Sequence, residues 1–343
     1  MKNINACKLL KFLILILICI SLSGCSDNKA QVSFNPSKDK YIRASNHIDV
    51  TDNMDEDLAN PYDMLSVPTY ITKIKDNYFI VDCYHNEVIY NDNLTDPISD
   101  WLVMTNDINM GHTIASDGVV YLIDDTESHR ILVMEEAKDG DQMRFILTQS
   151  FDEIGVRPHY IIYNEDTDTF YAWSSMTGTM YLFRRDHKDN TVYLTDTLSI
   201  PELDGYYVRS FTIMDDKIYF VSGNANIIEA KLSDFSITNH YIVPVELCGM
   251  VQLTKIQDYY YITISTDGYG SQDAATLIRT KDLNSLADSK YECVYDNFIG
   301  GGTPYVINQI EDYYYLCEHR LPGHNIWQFK VENNEIKEAI TLY

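Results

Sequence analysis

Residues 310 to 331 set a pattern that recurs along the chain. An apolar run ends at Ile310, an acidic pair Glu311-Asp312 follows, and an aromatic run Tyr313-Tyr314-Tyr315-Leu316-Cys317 comes next. After a polar loop, a second apolar run passes through Ile326-Trp327. The same order occurs five more times upstream. Its markers are the aromatics that follow each turn: Phe79, Tyr121, Tyr171, Tyr219, Tyr261 and Tyr315, spaced by 42, 50, 48, 42 and 54 residues. The turns between the apolar runs are Asp76-Asn77, Asp117-Gly118, Asp215-Asp216, Gln257-Asp258 and Glu311-Asp312. Asp, Asn and Gly tolerate the positive φ that tight hairpin turns impose, so each pair predicts a hairpin.

Each unit then supplies a third strand, at Val88–Tyr90, Ile131–Val133, Met180–Leu182, Ile227-Ile228, Leu277-Ile278 and Ile326-Trp327. A fourth follows, at Trp101–Val103, Phe145–Leu147, Val192–Leu194, Tyr241–Val243, Tyr291–Tyr295 and Ala339–Leu342. Repeats of roughly 40–50 residues with four strands per unit are the signature of a β-propeller. The chain is therefore expected to be all-β, a six-bladed propeller of four-stranded antiparallel blades over 41–343, with a seven-bladed ring as the alternative. Its Tyr content, 27 of 343 residues, suits pleated, half-buried surfaces. Ring closure has two readings: the last repeat supplies its own fourth strand, or Asn46–Thr51 (H-I-D-V-T-D) joins the last blade. In period and pattern, residues 68–343 resemble the six-bladed propellers of the NHL, YWTD and gluconolactonase-like groups. No W-D dipeptide, Y-W-T-D tetrad or intact Asp-box is present. The resemblance implies a fold and no particular activity.

The N-terminus carries a different signal. Lys2, Lys8 and Lys11 precede an apolar run, Phe12–Ile20, too short to span a bilayer and suited to export. Leu22-Ser23-Gly24-Cys25 follows and resembles the bacterial lipobox. That resemblance implies a signal peptide over 1–24, cleavage before Cys25, and acylation of its thiol. Two or three acyl chains anchor stably, since each buried CH2 contributes about 0.8 kcal/mol. Residues 25–40 then read as a lipidated tether, and the mature chain as held at the outer face of the cell membrane.

Charge narrows the partners. The formal net charge is -25, and residues 1–24 hold three Lys and no acid, so the remainder carries -28. Nucleic acid and close electrostatic docking on anionic lipid are both disfavoured. Beyond Cys25 the exported part has Cys83, Cys248, Cys293 and Cys317, in no zinc spacing. Cys83 and Cys317 end equivalent strands in the first and last repeats, which leaves a disulfide open; buried thiols acting as small apolar groups are the other reading.

Strand alternation places the loop into each first strand and the loop between second and third strands on one face. Six of the nine His fall there: His112 and His159 at first strands, and His85, His129, His319 and His324 in the second-to-third loops. Arg157, Arg209 and Arg320 join them, as do Asp82, Asp124, Asp125 and Glu318. Imidazole ligates metals or moves protons near neutral pH, and Arg clamps carboxylates. The candidate ligand-binding residues are thus His112, Arg157, His159 and Arg209, with His129, His319 and Arg320 beside them; Arg157-Pro158-His159 is the sharpest local motif. The loop Thr266–Asp273 reads as a recognition loop or a tolerated insertion. No G-x-S-x-G, H-E-x-x-H or phosphate-loop signature is present. The expectation is a surface-anchored, non-catalytic module that binds a protein, peptide or glycan and needs no cofactor. The alternative is a lyase or hydrolase of sugars or esters that uses the His/Arg ring, with metal assistance left open.

Overall fold

The computed structural model describes residues 44–47, 59–139 and 142–343. Cys25, the leader and the 25–40 tether lie outside the described residues, as do 48–51 of the Asn46–Thr51 segment. Two-residue turns close the first hairpins of the fourth, fifth and sixth blades as the alternation predicts, with φ of 56° at Asp215, 53° at Gln257 and 55° at Glu311, whereas three residues, 117–119, close that of the second blade. In the first hairpin the turn slips by one residue: Lys75 takes φ 54°, and Asn77 already belongs to a strand.

After a short β1 (Asn46–His47), the strands group into six antiparallel sheets. The first blade is β2 (Pro68–Ile74), β3 (Asn77–Asp82), β4 (Glu87–Asn91) and β5 (Leu102–Thr105). The second is β6 (Ile114–Ser116), β7 (Val120–Asp125), β8 (Arg130–Asp139) and β9 (Gln142–Phe151). The third is β10 (Pro158–Asn164), β11 (Thr169–Ser174), β12 (Thr179–Arg185) and β13 (Val192–Ser199). The fourth is β14 (Val208–Met214), β15 (Lys217–Ser222), β16 (Asn226–Lys231) and β17 (Ile237–Ile242). The fifth is β18 (Gly249–Ile256), β19 (Tyr259–Thr266), β20 (Thr276–Thr280) and β21 (Glu292–Cys293). The sixth is β22 (Thr303–Ile310), β23 (Tyr313–His319), β24 (Ile326–Glu332) and β25 (Glu335–Thr341). Six blades exclude the seven-bladed alternative. The fifth blade's outer strand is shorter than Tyr291–Tyr295 because a 3-10 turn takes over at Tyr295–Asn297 and buries Tyr295.

The apolar side chains gather between blades rather than at one centre. Five of the six clusters span one blade-to-blade interface each, and the other joins the third and fourth blades and also takes in Val251 and Val306; Val133, Ile161 and Phe183 join the second and third blades, for example, and Leu316, Phe329 and Leu277 the fifth and sixth. At about 1.5–3 kcal/mol for each fully buried large apolar side chain, these interfaces hold the ring together. A polar side chain of one blade also bonds the next at every interface. Thr69 Oγ1 donates to His112 O (2.9 Å), Thr113 Oγ1 accepts from Ile161 N (2.8 Å) and His159 Nδ1 meets Arg209 O (3.0 Å). Ser210 Oγ donates to Val251 O (2.5 Å), Thr263 Oγ1 to Tyr305 O (2.6 Å) and Asn308 Nδ2 to Ile71 O (2.7 Å).

The last of these bonds belongs to the closing seam, which no strand among the described residues crosses. The sixth blade completes itself with β25. The second closure reading is corrected: β1 pairs with β9 at the outer edge of the second blade, Asn46 opposite Ser150 and His47 opposite Gln149. The seam is packed by Ile71, Ile80, Ile310, Tyr315 and Cys317. Tyr343 reinforces it, setting its ring edge-on to Trp101 and donating its hydroxyl to Leu94 O and Asp96 O. Cys317 is buried in this packing, while Cys83 faces Met110 Sδ at 4.0 Å, so the two thiols are free and form no disulfide.

Candidate ligand-binding face

Proline and a bulge set the axial residues. Pro68 and Pro158 open innermost strands, Pro304 is the second residue of another, and in each the register shifts over the next residue: Thr69, His159 and Tyr305. Equivalent irregularities fall between Val208 and Phe211, and between Gly249 and Gln252. A bulge leaves one residue out of the ladder and turns its side chain. Proline costs little there, since the position needs no ladder donor. His159 thereby meets His112, which lies just ahead of β6.

The two imidazoles stack, with centroids 3.7 Å apart and planes 26° from parallel. Both are buried, at 6% and 1% exposure. His159 Nδ1–H donates to Arg209 O, so Nε2 is the acceptor, reached by Tyr207 Oη (3.0 Å) and Tyr305 Oη (3.3 Å). His112 Nδ1 meets Thr126 Oγ1 at 2.9 Å, and its Nε2 faces Cys83 Sγ at 3.9 Å. Burial holds His112 down to about 3, with the Arg157 and Arg209 guanidiniums adding to it. Burial, then His112 and Arg209, lower His159 in the same way. Both rings are therefore neutral at neutral pH, and their hydrogen bonds join blades.

The arginines lie above this pair. Arg209 Nη1 donates to Ser265 Oγ (2.7 Å) and Gly249 O (3.1 Å), and its guanidinium sits 5.0 Å from the Tyr207 ring centroid. Arg157, in a left-handed conformation at φ 60°, approaches the same ring at 5.8 Å and pairs with Glu127 at 2.9 Å. Arg157 Nε is buried without a partner. His319 is half-buried and held at about 4 by burial, Arg320 and Arg209. The structure thus gathers His159, Arg157 and Arg209 around Tyr207, with His112 joined to the group through its stack on His159. His129 stands apart: its Nδ1 accepts from Arg157 N and braces that backbone. Arg320 reaches outward instead, donating to Gln272 O at 3.1 Å in the Thr266–Asp273 loop.

The acids assigned to this face turn inward. Asp82 accepts Ser66 N and Val67 N, both at 2.8 Å, and Asp124 accepts His112 N (2.9 Å) and Thr113 N (2.6 Å). Each carboxylate ties the end of a second strand to the entry of the first. Asp125 pairs with Arg130 at 2.6 Å. Glu318 is bonded by Tyr295 Oη (2.5 Å) and Trp327 Nε1 (2.7 Å). Burial raises Asp124 to about 7.

Tyr207 and Tyr305 are site residues the sequence reading missed. For Tyr305 a signal existed, because Pro304-Tyr305 stands where Pro158-His159 and Pro68-Thr69 do. Exposed apolar side chains supply another feature. Among the described residues, eight of the eleven exposed large hydrophobics lie in loops on this face: Tyr62, Met64, Tyr84, Val156, Tyr206, Val245, Tyr269 and Ile299. Tyr269, in the Thr266–Asp273 loop, is 98% exposed. Asp267 Oδ1 accepts Tyr269 N and Ser271 N there, which orders the backbone beneath that side chain.

Solved propellers share the architecture. A proposed 6-phosphogluconolactonase from Bacteroides uniformis superposes with a TM-score of 0.57 at 12% identity, over 83% of this chain and 88% of that one. One from Bacteroides fragilis gives 0.57 at 12%, over 80% and 84%. Streptogramin B lyase gives 0.53 at 13%, over 83% and 86%. At such identities the likeness is one of fold. No family model matches the chain, and no curated protein matches it in sequence.

Proposed function

We propose that the protein is a non-catalytic binding module, held at the cell surface by lipid on Cys25, whose axial face captures a protein or peptide. One observation carries this reading: the exposed apolar side chains concentrate on that face, with Tyr269 standing almost free of the surface. Aromatic residues and Arg are enriched in protein interfaces, and grouped exposed apolar residues mark interaction sites. Arg157, Arg209 and Arg320 add positive charge to the same face of a strongly acidic chain, which suits a partner presenting carboxylates. The axial histidines support binding over turnover. They are stacked, hydrogen-bonded and neutral, and the nearest carboxylate, Asp124, is occupied by backbone N–H groups.

A photo-crosslinking residue placed at Tyr269 in the full chain on living cells tests the proposal, with Val119 on the opposite face as control. Crosslinks to a protein from position 269 and none from 119 are expected. Equal capture at both positions, or none at either, refutes it. Crosslinks to polysaccharide alone move the assignment to a glycan. Turnover of a sugar or ester by the purified chain, lost in His159→Ala, establishes the enzymatic alternative instead.

A further inference from the structure

At the rim of the first blade, β3 ends on Asp82 and β4 begins on Glu87, with His85 in the turn between. One carboxylate oxygen each from Asp82 and Glu87 and one ring nitrogen of His85 lie within 4.8 Å of one another. His85 Nδ1 is 2.9 Å from Asp82 Oδ2. Glu87 is only 2% exposed, and its Oε1 is buried with no hydrogen-bond partner. A carboxylate oxygen in that position is costly, because it has lost water and gained nothing in exchange. Burial, and after it Asp82, raises Glu87 to about 7.

From this geometry we propose that Asp82, His85 and Glu87 form a site for one divalent transition ion, of the Mn2+ or Zn2+ class. Two carboxylates balance the charge of a divalent ion, and the donor set mixes imidazole with oxygen. Calcium and magnesium favour all-oxygen sets, whereas manganese and zinc accept mixed ones. Ligand atoms about 2.0–2.2 Å from one ion stand roughly 3–4 Å apart, so small side-chain movements suffice. The surroundings hold the ligands in place. Tyr62 stacks on His85 with centroids 3.5 Å apart and planes 1° from parallel, and the Ser66 and Val67 amides fix the Asp82 carboxylate. Such outer partners orient first ligands. The His85 side chain is 21% exposed, so the ion enters past it, and its imidazole binds through Nδ1 as the Nε2–H tautomer.

The ion also has a structural consequence. It joins β3 to β4 and, through Asp82, steadies the segment entering β2. Leu65 in that segment packs in the closing seam, and its carbonyl accepts Asn325 Nδ2 of the sixth blade at 3.3 Å. Occupancy therefore tightens the ring at the closing seam between the first and sixth blades.

The test uses the full chain in detergent, stripped with chelator, then titrated calorimetrically with MnCl2 and ZnCl2 and followed by thermal unfolding. One ion per chain and a raised unfolding midpoint, reversed by chelator, are expected. Glu87→Gln removes the charge without changing shape, and His85→Ala alters a partly exposed residue. Each is expected to weaken affinity at least tenfold with an unchanged circular dichroism spectrum. No binding by the parent chain overturns the proposal, as does equal binding by both variants. If Glu87→Gln fails to fold, His85→Ala alone decides.

Discussion

Replacing His112 by Gln removes one titrating group from the axial pair, and the structure fixes what that does to stability. The folded imidazole is held at about 3, chiefly by burial, whereas an unfolded histidine titrates near 6.5. Below pH 6.5 the unfolded chain takes up a proton that the native chain refuses, so stability falls between pH 6.5 and 3. The loss runs at 1.36 kcal/mol per pH unit and reaches about 2 kcal/mol at pH 5 relative to pH 7.5. Asp124 works in the other direction. Its folded value, raised to about 7, favours the native state in acid, and that contribution fades as pH rises through 7. The absolute pH profile therefore mixes opposing groups, and the informative quantity is the difference between two profiles. Asp124 keeps its bonds to the backbone N–H groups of residue 112 and Thr113 and to the Thr126 hydroxyl when the ring is replaced. The assay is urea unfolding of parent and His112→Gln chains at pH 7.5 and 5.0, monitored by tryptophan fluorescence. The parent is expected to lose about 2 kcal/mol more than the variant over that interval. Equal losses would show that the imidazole titrates normally, and the buried, neutral axial pair would have to be abandoned.

Two other perturbations follow from the fold. Tyr343→Ala removes the ring against Trp101 and the hydroxyl bonded to Leu94 and Asp96; limited proteolysis should then cut near the seam first, with stability down by about 3 kcal/mol. Tyr343→Phe should lose only about 1 kcal/mol, since packing survives. Asp117→Ala strips the carboxylate from Arg185, a pair at 2.5 Å with side-chain exposures of 3% and 9% that joins the second and third blades. A destabilisation of about 3 kcal/mol in thermal or urea unfolding is expected, because a nearly buried guanidinium loses its carboxylate and keeps only the neutral Asn190 Oδ1 as acceptor.

Repetition made the fold readable. Each unit's alternation is local and each turn pair sits between apolar runs, so strand order and blade number could be taken from spacing alone. Asp117 shows the limit: its turn was legible, but its bond to Arg185, 68 residues away, was not. The one-sided distribution of histidine was legible for the same reason as the blades, since strand parity assigns a face. Depth is another matter. Whether His159 meets solvent or Arg209 O depends on a bulge after Pro158, a difference of one residue in register. Asp82 and Asp124 looked like polar loop residues because sequence does not show that the neighbouring strand entry offers them amides. Tyr207 and Tyr305 were hidden among 27 tyrosines, most of which are suited to packing.

The pairing of β1 with β9 bears on how the protein is best shortened for laboratory work. Strands β8 and β9 are each ten residues long, the longest among the described residues, and β9 is the rim of its sheet. Unpaired rims recruit other chains into amyloid-like or swapped assemblies. Ser45, Asn46 and His47 occupy part of that rim, with Ser45 N donating to Ser150 O at 2.7 Å. Cutting the chain after His47 would leave a bare adhesive margin, and clumping would follow even though every blade remained intact.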